Sequence, residues 1–230
     1  MQNSSLRLNK FLAERLGVSR READDLISSG KIKVDGKTAK IGAKVDNSSK
    51  VCYNEKTIPF QTDFLYLAFN KPVGYVCSRR AQGDSPTLYD LLPAKYQKLK
   101  TVGRLDKNSS GLILLTNDGD FAYQMTHPKF RKTKVYEIEL DKPLEPLHQQ
   151  MISDYGVMLE DGVSRFKIIR DNSAQLPSSG YTVILTEGRN RQIRRTFAAL
   201  GYKVTKLHRT HFGKYELGNL KPKKYVIIEP

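Results

Sequence analysis

The loop from Gly103 to Gly111 carries one arginine and one aspartate, Arg104 and Asp106, and leads into the apolar run 112–115. An aspartate beside such a run needs a charge partner to stay ionised. An ionised carboxylate in apolar surroundings is what nucleophilic or acid–base chemistry requires. The loop therefore provides the first candidate for a reactive group.

A basic segment further along the chain offers the charge partner. Residues 181–185 alternate as a strand, and the residues after them predict a helix with Asn190 as its N-cap. Arg191, Arg194 and Arg195 are three and four residues apart, so they share one face of that helix, opposite its apolar residues. The spacing predicts a helix that presents three arginines. A solvated charged face is the alternative.

Buried strands and a turn must hold these groups in place. Residues 64–69 predict a buried strand, which the motif Asn70-Lys71-Pro72-x-Gly74 closes. The run 112–115 predicts a second buried strand, and Asn117-Asp118-Gly119 turns the chain into a predicted helix that contains Met125.

Charge separates two basic regions from a nearly neutral middle. The net charge is +15, and the isoelectric point is about 9.7. Residues 188–224 hold eleven Lys and Arg against one acid, and residues 1–53 hold eleven against six. Such an excess suggests a polyanionic partner, nucleic acid first. A basic but inert surface is the alternative.

The N-terminal region predicts a small helical module followed by a hairpin. A short amphipathic helix ends at Gly17, and Ser19 with Glu22 forms a capping box for a second helix, which Gly30 stops. The alternating strand 31–34 and the turn signal Asp35-Gly36 follow.

This region resembles the RNA-binding module named after ribosomal protein S4, from about Leu6 to Val51. The resemblance is carried by residues 19–23, by Ile27-x-x-Gly30 and by residues 34–37. It implies RNA contacts from the exposed basic residues Arg20, Arg21, Lys31 and Lys33. A basic helical hairpin made only for packing is the alternative.

The rest of the chain resembles pseudouridine synthases of the RsuA/RluB/RluE/RluF family. The matching blocks occur in the family's order: Asn70-Lys71-Pro72-x-Gly74, Gly103-Arg104-Leu105-Asp106-x-x-Ser109-x-Gly111-Leu112, Leu115-Thr116-Asn117-Asp118-Gly119, His127-Pro128, Lys134-Val135-Tyr136, and the run from Glu187 to Arg195. Many relatives have threonine where this chain has Ser109, which keeps the hydroxyl.

The resemblance implies that Asp106 is the catalytic aspartate in a dry pocket, as a nucleophile or as a base at C2′ of the ribose. It implies that Arg194 pairs with Asp106. It also implies that Tyr136 stacks on the flipped base and later helps to remove the C5 proton, with a half-buried strand tyrosine as the alternative. Arg104 is expected either to fill the gap left by the extruded uridine or to contact phosphate. Leu207 is expected under the base, with core packing as the alternative. Arg191 and Arg195 are expected to bind the RNA.

The family uses no metal and no cofactor, and none is expected here. His208 and His211 are close together in the sequence, but we expect no carboxylate or cysteine near enough to complete a metal site, which favours RNA contact or solvent exposure for them. Cys52 and Cys77 are too few for a disulfide framework, and Cys77 is interpreted as a small buried residue. No run is long enough to span a membrane, and the N-terminus lacks signal-peptide features. We therefore expect a cytoplasmic monomer with no protein partner.

The predicted architecture is α+β: an S4-like domain with a linker over residues 1–60 and a catalytic domain over 61–230, built on a mainly antiparallel mixed sheet. The predicted function is isomerisation of a specific uridine in ribosomal RNA. Residues 156–162 with Phe166-Lys167 look more like the large-subunit branch, which favours 23S rRNA. The alternative is a catalytically silent RNA-binding or ribosome-assembly factor with the same fold.

Overall fold

A computed structural model describes residues 5–60, 63–79, 83–170 and 179–230. The chain separates into two compact units. The first comprises residues 1–65 with 117–119, and the second comprises residues 66–116 with 120–230. The predicted domain boundary at residue 60 stays a prediction.

Two helices and six short strands occur among the described residues of the first unit. The helices are α1 (Leu8–Leu16) and α2 (Arg20–Ser28). The strands are β1 (Leu6–Arg7), β2 (Ile32–Val34), β3 (Lys37–Thr38), β4 (Lys44–Val45), β5 (Val51–Tyr53) and β6 (Lys56–Thr57). Among the described residues β3-β2-β5-β6 form one sheet, and β1 pairs with β4.

The predicted capping box at the start of α2 is confirmed. Ser19 Oγ accepts a hydrogen bond from the Glu22 backbone N–H at 3.1 Å, and the Ser19 N–H donates to Glu22 Oε2 at 2.7 Å. The two helices and β2 bury one small core that includes Leu8, Phe11 and Ile32, all fully buried. The apolar periodicity and the cap therefore fold this unit as predicted.

The second unit contains eleven further strands and three helices among its described residues. The strands are β7 (Tyr66–Lys71), β8 (Lys100–Val102), β9 (Ser110–Thr116), β10 (Lys134–Leu140), β11 (Val157–Leu159), β12 (Gly162–Ser164), β13 (Lys167–Arg170), β14 (Gly180–Leu185), β15 (Val204–Phe212), β16 (Tyr215–Glu216) and β17 (Tyr225–Ile227). The helices are α3 (Gly119–Thr126), α4 (Pro146–Gln150) and α5 (Gln192–Ala199).

Nine of these strands form one mixed, mainly antiparallel sheet in the described part of the chain. Its order is β13-β14-β10-β15-β9-β7-β17, with β16 beside β15 and β8 beside β9. Only the pairing of β15 with β9 is parallel among these strands. The α+β fold class is confirmed.

The central strand β9 is apolar on both faces because both faces are buried. Leu112 and Leu114 join a core with Met125 of α3, and Ile113 and Leu115, which alternate with them, are also fully buried. Alternation of side chains along a strand places the two pairs on opposite faces.

Two predicted boundaries shift. The strand expected at 64–69 is β7, which begins at Tyr66 and continues to Lys71. Helix α5 begins at Gln192, and its N-cap is Arg191 rather than Asn190. Arg191 adopts a left-handed conformation with φ 45°, so it lies outside the helix.

Candidate active site

A cavity of about 580 Å³ opens in the second unit between the Gly103–Ser109 loop, the sheet and the start of α5. Its lining includes Asp106, Tyr136, Arg191, Leu207 and Arg209. The structure thus brings together the expected aspartate, tyrosine and leucine with two of the expected arginines, Arg191 and Arg104. Of these, Arg104 is solvent-exposed.

Lys71 holds the backbone of the loop that carries Asp106. Its side chain is fully buried at the end of β7. Its ammonium donates to the carbonyl oxygens of Pro72 at 3.0 Å, Asp106 at 3.1 Å and Ser109 at 2.7 Å. Burial lowers the pKa of Lys71 to about 8. The three carbonyls replace the water that a buried ammonium loses.

Further contacts fix the same loop. The buried Cys77 thiol lies 3.2 Å from the Leu105 carbonyl oxygen and 3.3 Å from the Leu105 nitrogen. The Gly74 N–H donates to the Lys107 carbonyl at 2.8 Å. Burial raises the pKa of Cys77, which fits the interpretation of this thiol as a structural group. Lys71 and Gly74 therefore support the loop from Asp106 onward, and Cys77 supports Leu105 on the other side of Asp106.

The Asp106 side chain differs from expectation in two ways. It is 37% exposed rather than enclosed in a dry pocket, because the loop places it at the cavity wall while Leu105 packs inward. Its ion-pair contact is with Arg191, whose Nη1 lies 3.7 Å from Asp106 Oδ2. The left-handed turn at Arg191 brings that side chain to the carboxylate.

Arg194, the expected partner of Asp106, supports the loop backbone instead. Its guanidinium donates to the Val204 carbonyl at 2.6 Å and to the Asn108 carbonyl at 2.7 Å, and lies 3.5 Å from Ser109 Oγ. Burial lowers the pKa of Arg194, the nearby Arg191 lowers it further, and Asp106 raises it. Arg194 is therefore close enough to feel the charge of Asp106, but its hydrogen bonds go to the main chain.

Arg195 also departs from the predicted three-arginine face. It makes a bidentate contact with Asp161, with Nη1 3.1 Å from Oδ1 and Nη2 2.7 Å from Oδ2. Hydrogen bonding from Arg195 is the main cause that lowers the pKa of Asp161. Because the helix starts after Arg191, the three arginines reach three different sets of partners.

Tyr136 and Leu207 provide the apolar walls of the cavity. Tyr136 is on β10 and Leu207 on β15, and both are more than nine-tenths buried. Arg209 pairs in register with Tyr136 and is 2% exposed. Its guanidinium lies 4.8 Å from the Phe212 ring centroid and 6.0 Å from that of Tyr136, and its Nε donates to the Leu112 carbonyl at 2.7 Å.

Gly111 is required where β9 meets β15. A Cβ at this position would lie 2.2 Å from the Arg209 carbonyl oxygen, and the residue has φ 101°. Both features exclude an ordinary side chain. The glycine therefore permits the parallel pairing that sets Arg209 against the Asp106 loop.

The sequence prediction missed Lys71 and Arg209 as residues of this site. Each is a buried cation two residues after a buried core residue, Phe69 or Leu207. A buried cation needs buried acceptors or an aromatic face. Lys71 follows an apolar run, so its pattern was readable in the sequence, whereas β15 has polar residues at six of its nine positions and gives Arg209 no such signal.

The cavity is basic. Arg104, Lys134, Arg189, Arg191 and Arg209 line it, against the acids Asp106 and Glu187. Burial lowers the pKa of Lys134 to about 8. An excess of cations favours a polyanionic ligand.

The expected RNA-binding residues of the first unit lie mostly on its surface, and Arg20 there donates to Asn9 Oδ1 at 3.2 Å. Arg20, Arg21 and Lys31 are exposed. Lys33 differs, because its ammonium lies 2.7 Å from Glu55, which raises the pKa of Lys33. Its charge is thus partly compensated.

The two neighbouring histidines have separate partners. His208 Nδ1 lies 2.8 Å from Ser110 Oγ, and His211 Nε2 lies 3.7 Å from Glu216, a carboxylate that the sequence analysis did not expect there. Within the described ranges, no three side chains of the metal-binding types gather at one point. No helix in those ranges is long and apolar enough to cross a membrane.

Comparison with known proteins finds relatives that match nearly the whole chain. Ribosomal small subunit pseudouridine synthase A of Pasteurella multocida is 36% identical over 219 residues, 92% of this chain and 90% of the relative. Ribosomal large subunit pseudouridine synthase B of Escherichia coli K12 is 35% identical over 220 residues, 93% of this chain and 75% of the relative. A crystal structure of a pseudouridylate synthase matches with a TM-score of 0.68 and 30% identity, covering 98% of this chain and 96% of that one.

Two family descriptions match in the predicted order. Residues 6–51 match the S4 domain, and residues 65–199 match RNA pseudouridylate synthase. The second match contains Asp106, Tyr136 and Arg194 and covers more than half of the chain. This chain belongs to the RNA pseudouridylate synthase family and carries an N-terminal S4 domain.

Proposed function

We propose that this protein converts a uridine of ribosomal RNA, in the 23S molecule, to pseudouridine, with Asp106 as the catalytic residue. The observation that carries the proposal is a carboxylate and an aromatic ring, Asp106 and Tyr136, facing one basic cavity. Both relatives described above are named for ribosomal subunits, one small and one large. The preference for 23S rRNA rests on the motif at residues 156–162.

The isomerisation needs three events at the uridine. The bond from C1′ to N1 of the base breaks, the base turns, and C5 forms the new bond to C1′ while its proton leaves. Asp106 acts either as a nucleophile at C1′ or as a base at C2′. The chemistry requires no metal or cofactor for either route.

The cavity walls suit a flat base. The Tyr136 ring offers a stacking surface, which contributes ~1–3 kcal/mol per base. Leu207 lines the same cavity as a second apolar contact. Arg104, which is solvent-exposed, serves the RNA strand around the flipped nucleotide.

A catalytically silent RNA-binding factor is the competing function. A protein that only binds RNA does not need a carboxylate on a loop that a buried lysine and an arginine hold in place. Lys71 and Arg194 together place five hydrogen bonds on main-chain carbonyls around this site, three of them on residues 106–109. Such support favours a reactive group at Asp106.

Tritium release from uridine labelled at C5 tests the proposal, because that hydrogen is lost when C5 joins C1′. Purified protein is mixed with labelled 23S or 16S rRNA. We expect release from 23S rRNA and none from 16S rRNA. Release from 16S alone would reverse the substrate assignment, and release from neither would support the silent binding factor.

Function as a cytoplasmic monomer stays a prediction, testable by sedimentation and by cell fractionation.

A further inference from the structure

The tip of the β11–β12 hairpin carries a carboxylate that joins two arginines. Asp161 Oδ1 lies 3.0 Å from Arg189 Nη1, and both carboxylate oxygens contact Arg195. The two arginines are on either side of Arg191, which contacts Asp106. One carboxylate thus fixes both ends of the segment that supplies the ion-pair partner of the proposed catalytic residue.

Additional hydrogen bonds attach the same segment to the hairpin. Arg189 donates to the carbonyl oxygens of Asp161 and Gly162 at 3.1 Å each and to that of Val163 at 2.9 Å. Arg195 Nε donates to the Asn190 carbonyl at 2.8 Å, which closes the segment on itself. We call Asp161, Arg189 and Arg195 the carboxylate clamp.

The clamp encloses a residue in an unfavourable conformation. Arg191 has φ 45° and ψ 31°, a left-handed region that non-glycine residues adopt only when their surroundings hold them there. The hydrogen bonds of the clamp come from residues two positions before and four positions after Arg191. The buried Gln192 adds to them, because its Oε1 accepts from the Arg189 N–H at 3.2 Å and its Nε2 donates to Ser164 Oγ at 3.1 Å. Together these contacts hold the segment around the left-handed turn.

We infer that Asp161 is a positioning residue of the active site, which acts through Arg191 on Asp106 and does not touch the substrate. This inference rests on the proposed function.

Asp161 also affects the charge near the cavity, because its carboxylate partly neutralises the two clamp arginines. Removing the carboxylate frees Arg195 near a cavity that binds RNA and leaves Arg189 with Glu187, 3.5 Å away, as its remaining acidic partner.

The inference predicts opposite effects on rate and on affinity. Asp161→Ala is expected to slow the single-turnover rate about fivefold, within the range of couplings between contacting groups. The same change is expected to leave RNA binding unchanged or tighter, with a salt dependence steeper by about 0.7 for each arginine that reaches phosphate. Asp161→Asn, which keeps one acceptor, is expected to slow the rate less.

Glu160 provides the matched control. It is the exposed neighbour of Asp161 in the same hairpin, and Glu160→Gln makes the same change in net charge. We expect the rate of Glu160→Gln to stay within about twofold of wild type, because the short contacts to Arg189 and Arg195 come from Asp161 and stay in place in this variant. An equal slowing of Glu160→Gln and Asp161→Asn would assign the effect to long-range charge and overturn the inference.

A double-mutant cycle decides whether Asp161 acts through Arg191. In the Arg191→Ala background, Asp161→Ala should cost less than about twofold in rate, because the residue it positions is gone. A full fivefold loss in that background would make Asp161 a general structural residue and overturn the inference. Thermal unfolding of each variant separates a loss of fold from a loss of positioning.

A readout without turnover keeps this inference separate from the proposed function. The NMR signal of the Arg191 guanidinium N–H should shift on Asp106→Asn in the wild-type background and not in the Asp161→Ala background. A wild-type protein that releases no tritium from any rRNA would reject the proposed function, and this NMR comparison would still support or overturn the role of Asp161.

Discussion

Lysine and arginine have different surroundings in the two units of this chain. In the first unit Arg21 and Lys31 are exposed. In the second unit Lys71 is fully buried and Arg209 is 2% exposed, and both donate to main-chain carbonyls of the sheet or the Asp106 loop. An exposed cation can exchange one phosphate for another, whereas a buried one fixes a single backbone geometry. We therefore expect the first group to determine affinity and the second to determine rate.

The largest effect is expected at Lys71. Lys71→Met fills the space but removes one donor from each of three carbonyls, of which that of Asp106 keeps a second donor, the Ser109 N–H. Each buried acceptor left unsatisfied costs about 1–3 kcal/mol. The reaction rate should fall at least about a hundredfold, equivalent to roughly 3 kcal/mol. Urea unfolding and single-turnover tritium release measure the two effects. Lys31→Met is the control, and an equal loss in both variants would refute the distinction between the two groups.

The same lysine predicts a pH effect. Above its pKa of about 8, the Lys71 amine has two N–H donors for three carbonyls, so the rate should fall there. The fold should persist, because a basic group whose pKa is lower in the folded chain than in the unfolded chain increases stability as pH rises between the two values. Circular dichroism checks this. Lys134 also has a pKa of about 8, so Lys134→Gln should retain the alkaline fall if Lys71 causes it.

The two arginines near Asp106 provide the next comparison. Arg194→Ala removes two short hydrogen bonds to carbonyls and should slow turnover about fiftyfold, since each such bond from a charged donor contributes ~1.5–3 kcal/mol. Arg191→Ala removes an ion pair at 3.7 Å between partly exposed groups and should slow it about fivefold, near the ~1 kcal/mol limit for such pairs. Single-turnover rates at saturating protein test the order. A larger loss of rate for Arg191→Ala than for Arg194→Ala would show that the ion pair with Asp106 matters more for turnover than the main-chain hydrogen bonds of Arg194.

Deletion of residues 1–60 should weaken RNA binding. The second unit has its own sheet and core, so we expect it to fold alone and to keep its turnover rate within about threefold. We expect kcat/KM to fall about ten- to thirtyfold, because the phosphate contacts of the basic N-terminal module are lost. Titration of the rate against RNA concentration separates kcat from KM. A lower kcat with unchanged KM would place the first unit in catalysis.

The smallest expected effect is a difference in the salt dependence of RNA binding between substitutions of Lys31 and of Lys33. Lys31→Ala should reduce the salt slope of RNA binding by about 0.7 if Lys31 contacts phosphate. Lys33→Ala should reduce it less, because Glu55 already compensates Lys33. Binding measured at several salt concentrations makes the comparison. Equal slopes for the two variants would show that the Glu55 contact gives way when RNA binds.

Local patterns predicted much of the fold. Ser19 and Glu22 are three residues apart, and a capping box depends on that spacing alone. The run at 112–115 predicted a buried strand because four successive apolar residues suit a strand buried on both faces. The motif carrying Asp106 also identified the cavity.

The contacts inside the site were harder to predict, because they depend on distant residues. Asp161 lies 34 positions from Arg195 in sequence, and no local pattern connects them. The left-handed turn at Arg191 moves the start of α5 by one residue, which changes the arginine that reaches Asp106. The family resemblance assigned Arg194 to Asp106, whereas the ion-pair contact of Asp106 in the structure is with Arg191.

Asp106→Asn tests the central claim most directly, because it removes the charge with little change in shape. Single-turnover tritium release and RNA affinity are measured on the same preparations at several salt concentrations. We predict that release is abolished, while affinity stays within about threefold and the salt slope is unchanged, since cations determine both. Release at a rate comparable to wild type would contradict the account, because the reactive carboxylate would then lie elsewhere.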